Sequence, residues 1–78
     1  MSFIYIHDQT SDRIVPIFTA AATVIELKQQ IQENVGLTDD QMAAVKIIYS
    51  GQELKDHYEC VRYTWASMDP PAILYISY

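Results

Sequence analysis

The sequence predicts a small α+β domain in which one long helix packs across one face of a sheet. Two short runs rich in aromatic and β-branched residues, 3–7 and 13–18, are separated by a polar turn and read as a hairpin. A capped segment with apolar residues at helical spacing follows, and further strand-like runs come after it. A chain of 78 residues holds one domain, so residues 1–78 form a single unit.

The hairpin is defined by its polar turn and by a proline. Residues 8–12 are all polar and separate the two predicted strands. Pro16 lies within the second strand and has no backbone N–H to donate to a neighbouring strand. The second strand is therefore expected at a sheet edge or at a bulge.

The helix is predicted over residues 24–35. Thr23 followed three residues later by Glu26 forms a capping-box pattern at its start. Gly36 stands where a helix commonly ends on a residue with positive φ. One apolar stripe at helical spacing runs between these signals: Val24, Leu27, Ile31 and Val35.

The second half contains shorter elements. Residues 38–41 form a weaker capping pattern that predicts one helical turn, and residues 45–49 predict a third strand. Leu54 is assigned to a very short fourth strand, and residues 72–77 to the last one. The stretch between them has no clear period and is read as a long loop anchored by Cys60, Tyr63 and Trp65.

Composition limits which partners and which cellular compartment are expected. The net charge of −5 disfavours nucleic acid, and scattered basic residues disfavour a membrane surface. A single cysteine, the absence of a long apolar run and a start without signal-peptide features together predict a cytoplasmic or nuclear protein.

Catalysis is not expected, and neither a cofactor nor a metal is expected. Cys60 could act as a nucleophile or zinc ligand with His57, but a lone cysteine is more often a packing residue and zinc normally requires two more ligands. His7, with its acidic neighbours, is read as part of a polar hairpin tip. The adjacent acids Asp39 and Asp40 suit the N-terminus of a helix.

An ordered set of motifs adds a family resemblance. It comprises TVIELK at 23–28, IQ at 31–32, GL at 36–37, DQ at 40–41 and KIIYSGQEL at 46–54. In this order they resemble ubiquitin and its relatives. The resemblance implies a ubiquitin-like β-grasp fold with a mixed four- to five-stranded sheet. It also implies a largely buried Lys28 paired with Asp56, a Tyr63 that pins the loop, and a core position for Cys60.

The family register also implies which side chains face solvent. The set expected against the helix is Phe3, Tyr5, Ile14, Phe18, Val45 and Ile47. The set expected in solvent is Ile4, Ile6, Val15, Ile17, Lys46, Ile48, Ala72 and Leu74. Because most of the second set is apolar, it predicts an interface, unless these residues are ordinary strand formers or the register differs.

The resemblance therefore implies an adaptor or recruitment domain that binds proteins noncovalently, with partners of ubiquitin-pathway or proteasome type. The expected binding residues are Ile4, Ile6, Lys46, Ile48, Ala72 and Leu74. Two alternatives remain: a modifier whose Gly-Gly tail lies outside this chain, and a structural domain packed in a larger protein or a homodimer. Alanine at Ile48 or Leu74 is expected to weaken partner binding without unfolding the domain.

Overall fold

A computed structural model describes residues 2–56 and 72–78. The strands are β1 (Ser2–Asp8), β2 (Arg13–Thr19), β3 (Lys46–Tyr49), β4 (Gln52–Glu53) and β5 (Ile73–Ser77). The helices are α1 (Val24–Ile31) and α2 (Asp39–Ala44), and a π-helical segment, Gln32–Gly36, extends α1.

The strands of the described ranges form one five-stranded sheet in the order β2-β1-β5-β3-β4. The first and last strands, β1 and β5, lie side by side and are parallel, whereas the other neighbours are antiparallel. The predicted α+β class and the mixed sheet are confirmed. The parallel pairing is possible because the helices and β3 intervene in the chain, which gives the long crossover that parallel strands need.

The hairpin of β1 and β2 is in register from Ser2 opposite Thr19 to Asp8 opposite Arg13. In the part of the chain that the structure describes, β2 pairs with β1 alone and therefore lies at an edge. The position expected of Pro16 from its missing N–H is confirmed, because an edge strand needs no donor on its open side.

Helix α1 begins where the sequence predicts but is shorter than expected. The Thr23 hydroxyl accepts the N–H of Glu26, and the Glu26 carboxylate accepts the N–H of Ala22. The prediction of one long α-helix over residues 24–35 is wrong, because α1 ends at Ile31 and the next turn is widened. The Leu37 N–H closes that wider turn on the Gln32 carbonyl, five residues back, at 3.2 Å.

A contact from the sheet accompanies the widened turn. The Arg13 guanidinium, on β2, donates to the carbonyl of Val35 at 3.0 Å. That carbonyl belongs to the last turn, where an α-helix leaves its acceptors without partners of its own. The side chain of Val35 remains buried, so the apolar stripe continues through the π-helical segment.

Gly36 ends this segment with φ +85°, and a Cβ built there would meet no atom within 4 Å. Gly36→Ala is therefore expected to cost about 1 kcal/mol in unfolding free energy, through backbone strain alone. Chemical denaturation measures this loss, and Gly36→Asn is the matched control because asparagine tolerates positive φ. An alanine variant as stable as the asparagine variant would contradict this explanation.

The capping pattern at residues 38–41 produces a six-residue helix, α2, rather than a single turn. The Thr38 hydroxyl accepts the Gln41 N–H at 3.2 Å, and the Gln41 side chain accepts the Thr38 N–H at 2.8 Å. This reciprocal pair is a complete capping box and satisfies two N–H groups that the helix itself cannot.

The core lies between the sheet and the helical layer. It contains all four residues of the helical stripe together with alternating aliphatic residues of β1, β2, β3 and β5. The sheet's contribution is Ile4, Ile6, Ile17, Ile47, Leu74 and Ile76, with Leu37, Val45, Leu54 and Ala72 just outside the elements.

Two of the residues given structural roles by the family resemblance can be located. Lys28 Nζ lies 2.5 Å from Asp56 Oδ1, so the predicted ion pair is confirmed. The lysine side chain is largely covered and the aspartate is more than half exposed, which keeps one of the two charges hydrated. Cys60, Tyr63 and Trp65 lie outside the described residues.

Candidate protein-binding surface

Four of the six expected binding residues lie on the wrong side of the sheet. Ile4, Ile6 and Leu74 are completely buried, and Ala72 is almost so. Their side chains face the helices, so the prediction that they face solvent is wrong. Ile17 is buried as well, and Val15 is partly buried against the core.

The predicted alternation of β1 is wrong by one residue. Such a shift moves every side chain of a strand to the other side of the sheet. Both alternating sets of β1 are mainly apolar, so the pattern alone did not identify the core side. The structure places the aliphatic set inside, against the aliphatic stripe of α1, and the aromatic set outside. The two sides of strand β5 are exchanged in the same way, because Ile6 pairs with Leu74 across the parallel ladder.

The opposite side of the sheet, called the open face below, is unusually apolar for a surface. Pro16, Tyr5 and Ile73 form one row across three strands. A longer row crosses all five strands. Its members are Ile14, His7, Tyr75, Ile48 and Glu53. The open face is completed by Phe3, Phe18, Lys46 and Ser77.

Aromatic contacts organise the open face on the side of β1 and β2. Phe3 meets Tyr5 edge to face at a centroid distance of 5.1 Å and meets Phe18 at 4.8 Å. His7 and Tyr75 lie 5.2 Å apart. Such pairs favour a defined arrangement of the rings.

Large apolar side chains are nevertheless exposed. Phe18 is 65% exposed, Ile14 is 61% exposed and Ile73 is 44% exposed. Lys46 is exposed and Ile48 is half-buried, and both lie on the open face, the side expected for them. These two are the only members of the expected binding set that a partner could reach on that face, among the residues described.

Among the described residues, the open face carries few charges. Glu53 is bonded to Lys55 at 3.1 Å, and Lys46 lies on the neighbouring strand. His7 Nε2 lies 3.6 Å from the carboxylate of Asp12, at the hairpin turn. The charges therefore lie at the margins, around an apolar centre.

A second cluster was missed by sequence reasoning, because Asp8 was assigned to the polar turn. Asp8 is fully buried, and its Oδ1 accepts the backbone N–H groups of Thr10 and Ser11 at 3.0 and 3.1 Å. Its Oδ2 accepts the Tyr78 hydroxyl at 2.6 Å, and Arg13 Nη2 lies 4.0 Å away. The spacing of Asp8 and Thr10 is a signal for such a turn, but the partner 70 residues away leaves no local signal.

The two acidic groups in this cluster perturb each other. Burial acts to raise the pKa of Asp8, but the hydrogen bonds from Tyr78, Ser11 and Thr10 outweigh it, and the pKa lies below the usual value of 3.8. The hydrogen bond to Asp8 raises the pKa of Tyr78 above its usual value of 10.0. The cluster therefore ties the last described residue to the first hairpin.

Within the ranges 2–56 and 72–78, no three histidine, cysteine or acidic residues are grouped to hold a metal ion. No helix of the described residues is long and apolar enough to cross a membrane. An open hollow of about 300 Å³ lies beside the end of β2 and is lined by Ala20, Ala21, Glu26, Gln29, Gln30 and Glu33.

No family model and no curated protein matches this chain. The resemblance to ubiquitin therefore depends on the motifs of the chain itself. In the described ranges, the open face carries exposed apolar side chains, and the Asp8 cluster holds a buried carboxylate in hydrogen bonds.

Proposed function

We propose that this chain is a ubiquitin-like β-grasp domain that binds other proteins noncovalently through its open face. The fold assignment is supported by the mixed sheet, in which the first and last strands are parallel neighbours at the centre, and by the helix that packs on one side. The motifs at 23–28 and 46–54 fall on α1 and on β3 with its turn, as the resemblance implies.

The observation that carries the function is the exposure of large apolar side chains on the open face. Polar side chains normally occupy the solvated side of an antiparallel ladder, and a contiguous apolar patch commonly marks an interface. Ile48 and Tyr75 lie at the centre of this patch, and Phe18 and Ile14 are its most accessible members. Aromatic anchors of this kind carry much of the binding energy in protein interfaces.

The open face suits a partner that binds through shape and apolar contacts more than through charge. No ion pair between described residues lies at the centre of the open face, and the marginal charges are of both signs, Lys46 and Glu53. A partner with an apolar strip flanked by mixed polar residues is complementary to this arrangement. The proposal involves no catalysis, metal or cofactor.

Site-specific photo-crosslinking in cells tests the proposal. A photoreactive phenylalanine analogue at Ile73 is expected to capture a protein, whereas the same group at Gln29, exposed on the helical side, is not. With the captured protein purified, Phe18→Ser and Ile48→Ser are each expected to weaken binding about tenfold or more. Gln29→Ser is the control.

Two results would overturn the proposal. One is crosslinking that is equally strong at both positions, and the other is an affinity that the open-face substitutions leave unchanged. A crosslink within one longer polypeptide would show instead that the open face is covered by a neighbouring domain of the same protein.

A further inference from the structure

His7 lies within the long row of side chains that crosses the open face. Ile14 stands beside it on β2 and Tyr75 beside it on β5. The rings of His7 and Tyr75 are 5.2 Å apart, and 29% of the histidine side chain is exposed. Histidine is the side chain that ordinarily changes its charge between about pH 5 and 8. A group that can gain a charge near neutral pH therefore lies among apolar and aromatic neighbours.

We propose that protonation of His7 weakens partner binding at the open face, so that partners bind at neutral pH and are released in mild acid. The inference rests on the function proposed for the open face and adds its regulation. Neutral His7 is an aromatic member of the row, whereas protonated His7 brings a positive charge into it. An apolar partner that covers the row removes water from that charge, and this cost falls on the protonated form alone.

The charged groups near His7 on β1 and at the hairpin turn do not offset this cost. Asp12 Oδ1 lies 3.6 Å from His7 Nε2, but the Asp12 side chain is 95% exposed. An ion pair with a carboxylate in solvent adds little, whereas loss of hydration at a charge costs more. Asp8 is buried on the helical side, and Arg13 donates to the carbonyl of Val35 on that same side.

The groups that the other strands place on the open face do not offset it either. The ring of Tyr75 already meets His7 in the free domain, so this contact gives the complex no new partner for the charge. Lys46, on β3, is itself a cation. Glu53, on β4, is bonded to Lys55 at 3.1 Å. The helices pack on the other side of the sheet.

Partner binding and proton binding at His7 therefore oppose each other. By linkage, the partner lowers the affinity of His7 for a proton by the factor by which the proton lowers the affinity for the partner. The effect is absent at a pH where His7 is neutral in both states, and it grows as the pH falls through the titration of the free domain.

Binding measured at two pH values tests the inference. The probe is the protein captured by crosslinking at Ile73, and its dissociation constant for the full chain is measured at about pH 8 and about pH 5.5. The wild type is expected to bind about five- to tenfold more weakly at the lower pH. His7→Gln and His7→Phe keep position 7 neutral, so both are expected to lose this weakening.

The comparison separates His7 from other titrating groups. The partner's own groups contribute equally to every variant, so a difference between the ratios of the two dissociation constants belongs to position 7. Gln29→His is the matched control, because it adds a histidine on the helical side and is expected to keep the wild-type ratio. Circular dichroism checks folding at both pH values, and His7→Phe decides the question if His7→Gln is unfolded.

Two results would overturn the inference and leave the proposed function in place. One is the same ratio of dissociation constants in the wild type and in the folded neutral variants. The other is a wild type whose binding strengthens in acid relative to those variants. Failure of the proposed function has a different sign: no protein is captured at Ile73, or Phe18→Ser leaves the affinity at about pH 8 unchanged. In that case the inference falls with it.

Discussion

Leu74→Ala is expected to lower the free energy of unfolding by about 2–5 kcal/mol. Leu74 is completely buried between β1, β3 and the helices, and alanine would leave a cavity that the surrounding side chains can close only partly. A domain of this size has a total stability of about 4–12 kcal/mol, so the variant is expected to be partly or wholly unfolded. Urea denaturation measures the change.

The neighbouring residue provides a matched control. Ile73 points to the open face and is 44% exposed, so Ile73→Ala is expected to cost less than about 1 kcal/mol. Ile48→Ala, half-buried on the same face, is expected to remain folded. Equal losses at Leu74 and Ile73 would show that the assignment of the two sides of β5 is wrong. The expectation from the family register, that Leu74→Ala leaves the fold intact, is replaced by this one.

Asp8→Asn is expected to remove the contribution of Asp8 to the acid limb of the stability curve and to cost about 1–3 kcal/mol near pH 7. The native pKa of Asp8 lies below its unfolded value of 3.8. Its ionised form therefore adds stability that is fully present above that value and is lost as the pH falls through the native pKa. Urea denaturation between about pH 2 and 7 measures this contribution.

Asp12→Asn is the control, because the Asp12 side chain is 95% exposed and its positive φ suits asparagine. It is expected to keep the acid limb. Tyr78→Phe removes the hydroxyl that donates to Asp8 and is expected to shrink the limb without abolishing it, because Thr10 and Ser11 still donate. If Asp8→Asn and Asp12→Asn have the same pH profile, the Asp8 cluster does not stabilise the domain.

At alkaline pH, the dependence of stability on pH has the opposite sign. The pKa of Tyr78 is raised above 10.0, so the protonated hydroxyl adds stability that is present below that value. This contribution is lost as the pH rises through the native pKa of Tyr78. The cluster therefore stabilises the domain most between the two ranges, and Tyr78→Phe is expected to remove the alkaline loss.

The sequence by itself determined the features that depend on neighbours in the chain. Thr23 and Thr38 start helices because a hydroxyl before a helix accepts an otherwise unpaired N–H. Gly36 ends the helical segment because it adopts positive φ without strain. Pro16 predicted an edge because it has no donor. The ion pair of Lys28 and Asp56 followed from the family resemblance.

The tertiary structure alone decided which side of the sheet is the core. Alternation separates the residues of β1 into two sets that are both mainly apolar. The sequence pattern alone therefore does not show which set is buried. Packing against the aliphatic stripe of α1 selected Ile4 and Ile6, and the parallel pairing of β1 with β5 carried Leu74 inward with them. The residues of β1 proposed for binding are therefore the aromatic set and not the aliphatic set.

Tertiary contacts also decided which residues that are far apart in the chain come into contact. Asp8 and Tyr78 meet only because β1 and β5 are parallel neighbours that end at the same side of the sheet. Arg13 reaches the carbonyl of Val35 only because β2 lies beside the end of the helical segment. Turns, caps and alternation can be predicted from local sequence patterns, because they depend on residues only a few positions apart. The side that is buried, and the partner of a buried carboxylate, depend on which strands are neighbours.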